Sequence, residues 1–235
     1  MPADTSVYLI FILNGGGVYN GVSMKAGDVI ALGLNKDPMI GLSHYTELFM
    51  VDMEFHLFFQ LTGMEPAFCQ QVIPLNEDSF LKDVCGRLMS IPSPQRPEIV
   101  EQAFLSRLRQ GKYLVKRKLE RIVCASKLLE VVPLSRYESI ARQMNISLRQ
   151  LERDFTTMLG ITLQDYSRIR RFHRSIRLLR RMSAAEAAYL SGYSDQAHMT
   201  KEFKKMSIWT PAQALQSFDL NFEGIPLGER SSGAL

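Results

Sequence analysis

The sequence predicts an α+β chain. A small β-rich N-terminal domain with flanking helices precedes an all-α C-terminal domain, in which two helix-turn-helix units are joined by a long helix. Three observations carry this. Runs of β-branched and aromatic residues punctuated by glycine turns fill the first 55 positions. Apolar residues then recur at helical spacing to about Ser217. Within that helical part a short pattern returns after a shift of 48, aligning Leu151 with Met199, Phe155 with Phe203, Met158 with Met206 and Thr162 with Thr210.

The elements follow in order. "SVYLIFIL" reads as a strand ending at a turn over Asn14-Gly15-Gly16-Gly17, "GDVIALGL" as a second strand, and "TELFMVDMEF" as a partly alternating third. "HLFFQLTG" reads as a short helix closed by Gly63, and Asp78 caps a helix over Asp78–Ile91. "PSPQRP" is a break, because proline lacks the N–H that a helix interior needs. One or two helices follow from Pro97 to about Val131, interrupted near Gly111 and stopped at Pro133. The expected boundaries are a β-rich domain at 1–110, a helical linker at 111–132, an all-helical domain at 133–217 and a loose tail at 218–235.

Composition narrows the classes. At 46% hydrophobic and 22% charged residues the chain is globular, not disordered. No apolar run nears the roughly 20 residues that span a bilayer, and "MPADTSVYLIFIL" lacks a basic leader region. The reading is cytoplasmic, associated with the nucleoid, with no membrane partner. Cys69, Cys85 and Cys124 are odd in number and far apart, which fits neither a disulfide framework nor a zinc site. The net charge of +4 conceals an asymmetry: residues 1–110 sum to −5 and residues 111–235 to +9. One half is therefore suited to a polyanion.

Each copy of the repeat reads as a helix, a tight turn, a capping serine (Ser147 or Ser194) and a second helix. At 100° per residue, Leu148, Leu151, Phe155 and Met158 share the core side of the first, with Arg149, Arg153 and Thr156 opposite. In the second, Met199, Phe203, Met206 and Gln196 fall on the core side, Ala197, Lys201 and Lys204 point away, and Thr200 lies on the flank. Such outward rows suit a helix entering a major groove, with long donors for guanine edges and phosphates. Between the copies, Tyr166, Ile169, Phe172, Ile176 and Leu179 form the apolar stripe of a long helix surrounded by seven arginines. That rigid helix would hold two reading heads for groove segments about 34 Å apart.

"AAYLSGYSDQAHMTKEFKKMSIWTPAQAL" (Ala187–Leu215) resembles the signature segment of the AraC/XylS family of bacterial transcription regulators, through Gly192, Tyr193, Ser194, Gln196, Phe203, Lys204, Lys205, Thr210 and Pro211. The first copy resembles the family's other helix-turn-helix through Ile140, Ala141, Ser147, Leu151, Arg153, Phe155 and Gly160. Met199 stands where an aromatic is common, Ser207 and Ile208 replace the usual glycine before Thr210-Pro211, and Trp209 reads as core filling. Residues 8–16, "GDVIALGL" and residues 51–75 are similar to the small cupin-like sensor domain of part of the family, with this chain beginning late, without a first strand. The resemblance implies a sequence-specific transcription regulator of the activating kind, with residues 133–217 as its DNA-binding domain and double-stranded DNA as partner. For residues 1–110 it implies a regulatory role, either effector sensing or dimerisation, so that a small-molecule effector or a homodimer is the expected partner there, with RNA polymerase added where the chain activates.

The residues expected at base edges are Arg149, Gln150 and Arg153 in one groove segment and Gln196, Thr200 and Lys201 in the next. Those expected at phosphates or as caps are Ser147, Ser194, Arg170, Arg171, Lys204 and Lys205. No cofactor, metal set or catalytic group is expected. His44, His56, His173 and His198 have no metal-ligand spacing, and Gly15-Gly16-Gly17 lacks the rest of a phosphate loop. Two rivals remain: a non-regulatory architectural DNA-binding protein, and a DNA alkyl-transfer repair protein, which would need an activated cysteine.

Overall fold

A computed structural model describes residues 5–19, 22–33, 41–42, 45–64, 72–111, 113, 117–131, 137–206, 210–211 and 213. The expected tail at 218–235, together with Cys69, Pro133, Ser207, Ile208 and Trp209, lies outside the described residues. The chain divides into two compact units, one holding the strands and first three helices, the other beginning at Arg117.

In the N-terminal unit the nine-residue strand β1 (Ser6–Asn14) is buried on both faces, as a central strand of Val, Leu, Ile and Phe must be. It pairs antiparallel with β4 (Val29–Leu32) and β6 (Glu47–Glu54), and β7 (Val72–Pro74) completes a sheet ordered β6-β1-β4-β7. A second sheet, β3-β2-β5, holds β2 (Gly16–Tyr19), β3 (Val22–Lys25) and β5 (Gly41–Leu42). The expected four-residue turn at Asn14–Gly17 is therefore shorter. Gly15 turns with φ +70, while Gly16 and Gly17 already pair with Lys25 and Met24. Gly16 is required there because a Cβ would lie 2.2 Å from the Met24 carbonyl oxygen. Ile10, Ile12, Met24, Ile30 and Leu32 form one apolar cluster drawn from both sheets.

The helices of this unit follow their sequence signals. Helix α1 (Phe55–Thr62) ends at Gly63, whose left-handed φ of +76 returns an N–H to the Phe59 carbonyl. Helix α2 (Ser79–Met89) starts at Asp78, which accepts from Leu81 N at 3.0 Å. The proline-rich break contains one 3-10 turn over Ser93–Gln95 that runs into α3 (Arg96–Arg109), because Pro97 sits in the first helical turn where its missing N–H is harmless.

Among the described residues the regular elements of the C-terminal unit are helices: α4 (Arg117–Val131), α5 (Tyr137–Gln143), α6 (Leu148–Leu159), α7 (Leu163–Leu179), α8 (Ala184–Leu190) and α9 (Gln196–Met206). All five expected stripe residues of α7 are buried. The repeat is longer than the sequence pattern suggested. At a shift of 47, the buried Leu119, Ile122, Ala125 and Leu129 of α4 align with the buried Tyr166, Ile169, Phe172 and Ile176 of α7. Two three-helix copies result, α4-α5-α6 and α7-α8-α9, and each first helix packs against both later helices of its own copy. Among the described residues no helix is long and apolar enough to cross a membrane.

Candidate nucleic-acid interface

The two turns that aim α6 and α9 have the same backbone construction. In the first, Asn145 takes a left-handed φ of +54 and Ile146 N donates to the Ala141 carbonyl at 3.0 Å. In the second, Gly192 takes φ +82 and Tyr193 N donates to the Ala188 carbonyl at 3.0 Å. Asparagine and glycine are the residues that enter this region most readily.

The caps then diverge by one residue. Ser147 accepts from Gln150 N at 3.1 Å and starts α6. The expected counterpart, Ser194, does not cap α9. Asp195 does, accepting from His198 N at 2.7 Å, and this bond holds its carboxyl below the usual range. The reason is that the one-residue insertion of the second copy falls ahead of the cap, so Asp195 takes the place of Ser147. Ser194 instead bonds the imidazole of His198, Oγ to Nδ1 at 3.0 Å.

On α6, Leu151, Phe155 and Met158 are buried while Arg149, Arg153 and Thr156 are exposed, and Leu148 is half-buried. On α9, Met199 and Phe203 are fully buried and join Phe172, Ile176, Leu179 and Tyr193 in one cluster. Gln196 departs from its expected core side: it is exposed, because the first helical residue has no preceding turn to cover it. It lines an open concavity of about 610 Å³ with Ala197, Thr200, Lys201 and Lys204. The structure thus brings together three of the expected base-reading positions and one expected phosphate contact on a single face of α9.

Not every expected contact is presented. Arg171 is turned inward, its side chain only 14% exposed. Its guanidinium lies 4.6 Å over the Tyr193 ring, donates to the Gly192 carbonyl at 3.3 Å and stands 3.9 Å from Glu202. It buttresses the second turn, and a phosphate would have to compete with those partners. Lys205 pairs with Glu202 at 3.3 Å yet remains more than half exposed. Arg170 is partly exposed and Lys204 exposed.

Sequence reasoning missed two buried acids. Asp154 is fully buried, and its Oδ2 accepts from Arg121 Nε at 2.7 Å and Nη2 at 2.6 Å. Glu202, 48 positions later, is also buried and is approached by Arg168 at 3.7 Å and by Lys205. Arg121 and Arg168 are themselves equivalent at the 47-residue shift, so each copy ties its recognition helix to its first helix through an acid-arginine pair. The available signal was an acid directly before each core phenylalanine, Phe155 and Phe203.

Two observations bear on the metal and repair readings. Among the described residues no group of His, Cys, Asp and Glu could hold a metal ion. Cys85 is buried, and burial pushes its thiol above the ordinary value, the opposite of what an alkyl-accepting thiolate requires.

Residues 140–217 match the model of a helix-turn-helix domain family. The HTH-type transcriptional activator RhaS of Escherichia coli is 32% identical over 85 residues, covering 35% of this chain and 31% of that protein. Its Salmonella arizonae counterpart is 33% identical over 85 residues. The chain spans about a third of the length of these curated relatives. Over 91% of the chain and 88% of the other, the fold is similar to that of ToxT from Vibrio cholerae bound to an unsaturated fatty acid, with a TM-score of 0.56 at 15% identity. A second ToxT structure gives the same TM-score at 13% identity. At such identities the likeness is one of fold. Residues 140–217, with their helix-turn-helix architecture and outward polar rows, are thus similar to the helix-turn-helix part of these transcriptional activators.

Proposed function

We propose that the chain regulates transcription by reading two successive major-groove segments of one duplex, α6 in the first and α9 in the second. The observation that carries this is the pairing of a fully buried apolar row with an exposed polar and basic row on both helices, repeated within one unit. Arg149 and Arg153 are the base-edge donors on α6, and Gln196, Thr200 and Lys201 those on α9. Lys204, Lys205 and Arg170 contact phosphates, while Ser147 and Asp195 start the two helices. The N-terminal unit serves as the sensing or dimerising part. Its fold likeness to a ToxT structure holding an unsaturated fatty acid supports an apolar effector, for which residues such as Ile10, Ile12 and Met24 offer suitable chemistry. RNA polymerase is the partner if the chain activates, and the nucleoid its place of work.

The test is fluorescence-anisotropy titration of the full chain with duplexes upstream of its own gene and neighbouring genes, against a scrambled duplex, at two salt concentrations. Selective binding that weakens as salt rises is expected, because phosphate contacts release counterions. Equal binding to every duplex would instead favour an architectural protein. No binding at low salt would refute DNA reading altogether.

A further inference from the structure

Gln150 was expected at a base edge, yet both ends of its carboxamide are engaged within the protein. Its Nε2 donates to Asp154 Oδ1 at 2.7 Å. Its Oε1 accepts from Nη2 of Arg153. This orientation is not arbitrary, since an ionised carboxylate accepts only, and a flipped amide would set oxygen against oxygen. Asp154 is fixed in turn by the two bonds from Arg121 on α4 and lies fully out of solvent. A continuous chain of bonds therefore runs from the first helix of the copy to an exposed arginine on the outward face. The second copy lacks this arrangement: His198, at the position equivalent to Gln150, bonds Ser194 and not the buried acid.

We propose that Gln150 is a positioning residue which, anchored by the buried Asp154–Arg121 pair, holds the Arg153 guanidinium in place and so sets the base preference at the pair Arg153 reads. The idea rests on the DNA-reading function proposed above. An arginine carries large rotamer freedom, and recognition through its planar fork depends on orientation. Fixing one Nη donor in the free protein leaves the opposite edge for a bidentate contact with guanine and removes part of the ordering cost at binding. Asp154 and Arg121 act through Gln150 and touch no base.

The experiment selects duplexes from a randomised library with the full-length wild type, Gln150→Ala, Arg153→Ala and the double variant. Each protein is then titrated against the wild-type-selected duplex and a scrambled one. Alanine is compatible with the half-exposed helical position of Gln150. Gln150→Met, which keeps the chain length without the amide, is run beside it as a second variant that should behave in the same way. Gln150→Ala should flatten preference at the same base pair as Arg153→Ala and weaken the selected duplex by about three- to tenfold. Affinity for scrambled DNA should not change, and the double variant should bind no worse than Arg153→Ala alone. Flattening at a different base pair, or additive losses, would make Gln150 a base reader and overturn the proposal while leaving DNA reading intact. A wild type that enriches no sequence would overturn both.

Discussion

Replacing Arg121 by methionine should destabilise the helical unit far more than its partly exposed position suggests. The guanidinium is about one-fifth exposed, but the carboxylate it serves is fully buried. Both Arg121 nitrogens bond the same oxygen, Oδ2, whereas Gln150 reaches only Oδ1. The substitution thus leaves an ionised oxygen inside the unit with its two strongest donors gone. Removing one partner of a buried pair costs about 3–5 kcal/mol. Partial exposure of Arg121 gives water a route to the vacated space, which places the expected loss at the lower end, about 3 kcal/mol. For a unit of this size that is a fall in Tm of roughly 12 °C or more. Thermal unfolding of the full chain followed by far-ultraviolet circular dichroism reads it, since most of the helix lies in this unit. Adding Asp154→Leu to the Arg121→Met background removes the stranded charge and should restore stability to within about 1 kcal/mol of wild type. A single variant losing under about 1 kcal/mol would refute this reasoning. So would a double variant no more stable than Arg121→Met.

Two further outcomes follow from the second turn. Asp195→Ala should lower the Tm by a few degrees through loss of the α9 cap, and Ser194→Ala should do so by less, as thermal melts of both variants will show. The Asp195 carboxyl is held below its usual range by the His198 N–H bond, so its contribution is present above the ordinary carboxyl value and disappears as pH falls through the lowered one. The gap between wild type and Asp195→Ala should accordingly close in acid, and a gap that persists there would exclude the charged cap as its source. Burial pushes the Tyr193 hydroxyl up to about 12, against the lowering influence of the Arg171 cation. Being raised, this group supports the fold fully below the ordinary tyrosine value and ceases to do so as pH climbs through about 12. Ultraviolet titration of wild type against Tyr193→Phe should show no phenolate from Tyr193 until that range, and ionisation near pH 10 would contradict its packing.

Legibility in the sequence tracked the strength of each local signal. Asp78, Gly63 and Ser147 were readable because a cap or a left-handed turn is specified by one residue and its immediate neighbours. The stripe of α7 was readable because five apolar residues at helical spacing leave one solution. Strands β2, β3, β5 and β7 were not foreseen. They have two to four residues each, too short for alternation to register, and are held by pairing with distant partners. The inward turn of Arg171 was equally hidden, since four other arginines share its helix. Only the tertiary placement of Tyr193, Gly192 and Glu202 distinguishes it.

The role of α4 shows a different kind of gap. Taken alone, "RKLERIVCASKLLEV" has modest apolar content and no second copy at the 48-residue shift, so it resembled a connector. Its counterpart lies at 47, because the insertion that delays the second cap has not yet occurred at that point of the chain. Once the shift is allowed to change across the turn, Leu119, Ile122, Ala125 and Leu129 pair with the stripe of α7, and Arg121 pairs with Arg168. The physical need is the same in both copies. A recognition helix of eleven or twelve residues is marginal by itself and depends on packing. Apolar contacts hold it against the core but are non-directional, whereas hydrogen bonds to a buried carboxylate depend on angle. The acid before each core phenylalanine is therefore where rotation about the helix axis becomes constrained. In α6 that same acid extends its constraint, through Gln150, to the arginine on the opposite face.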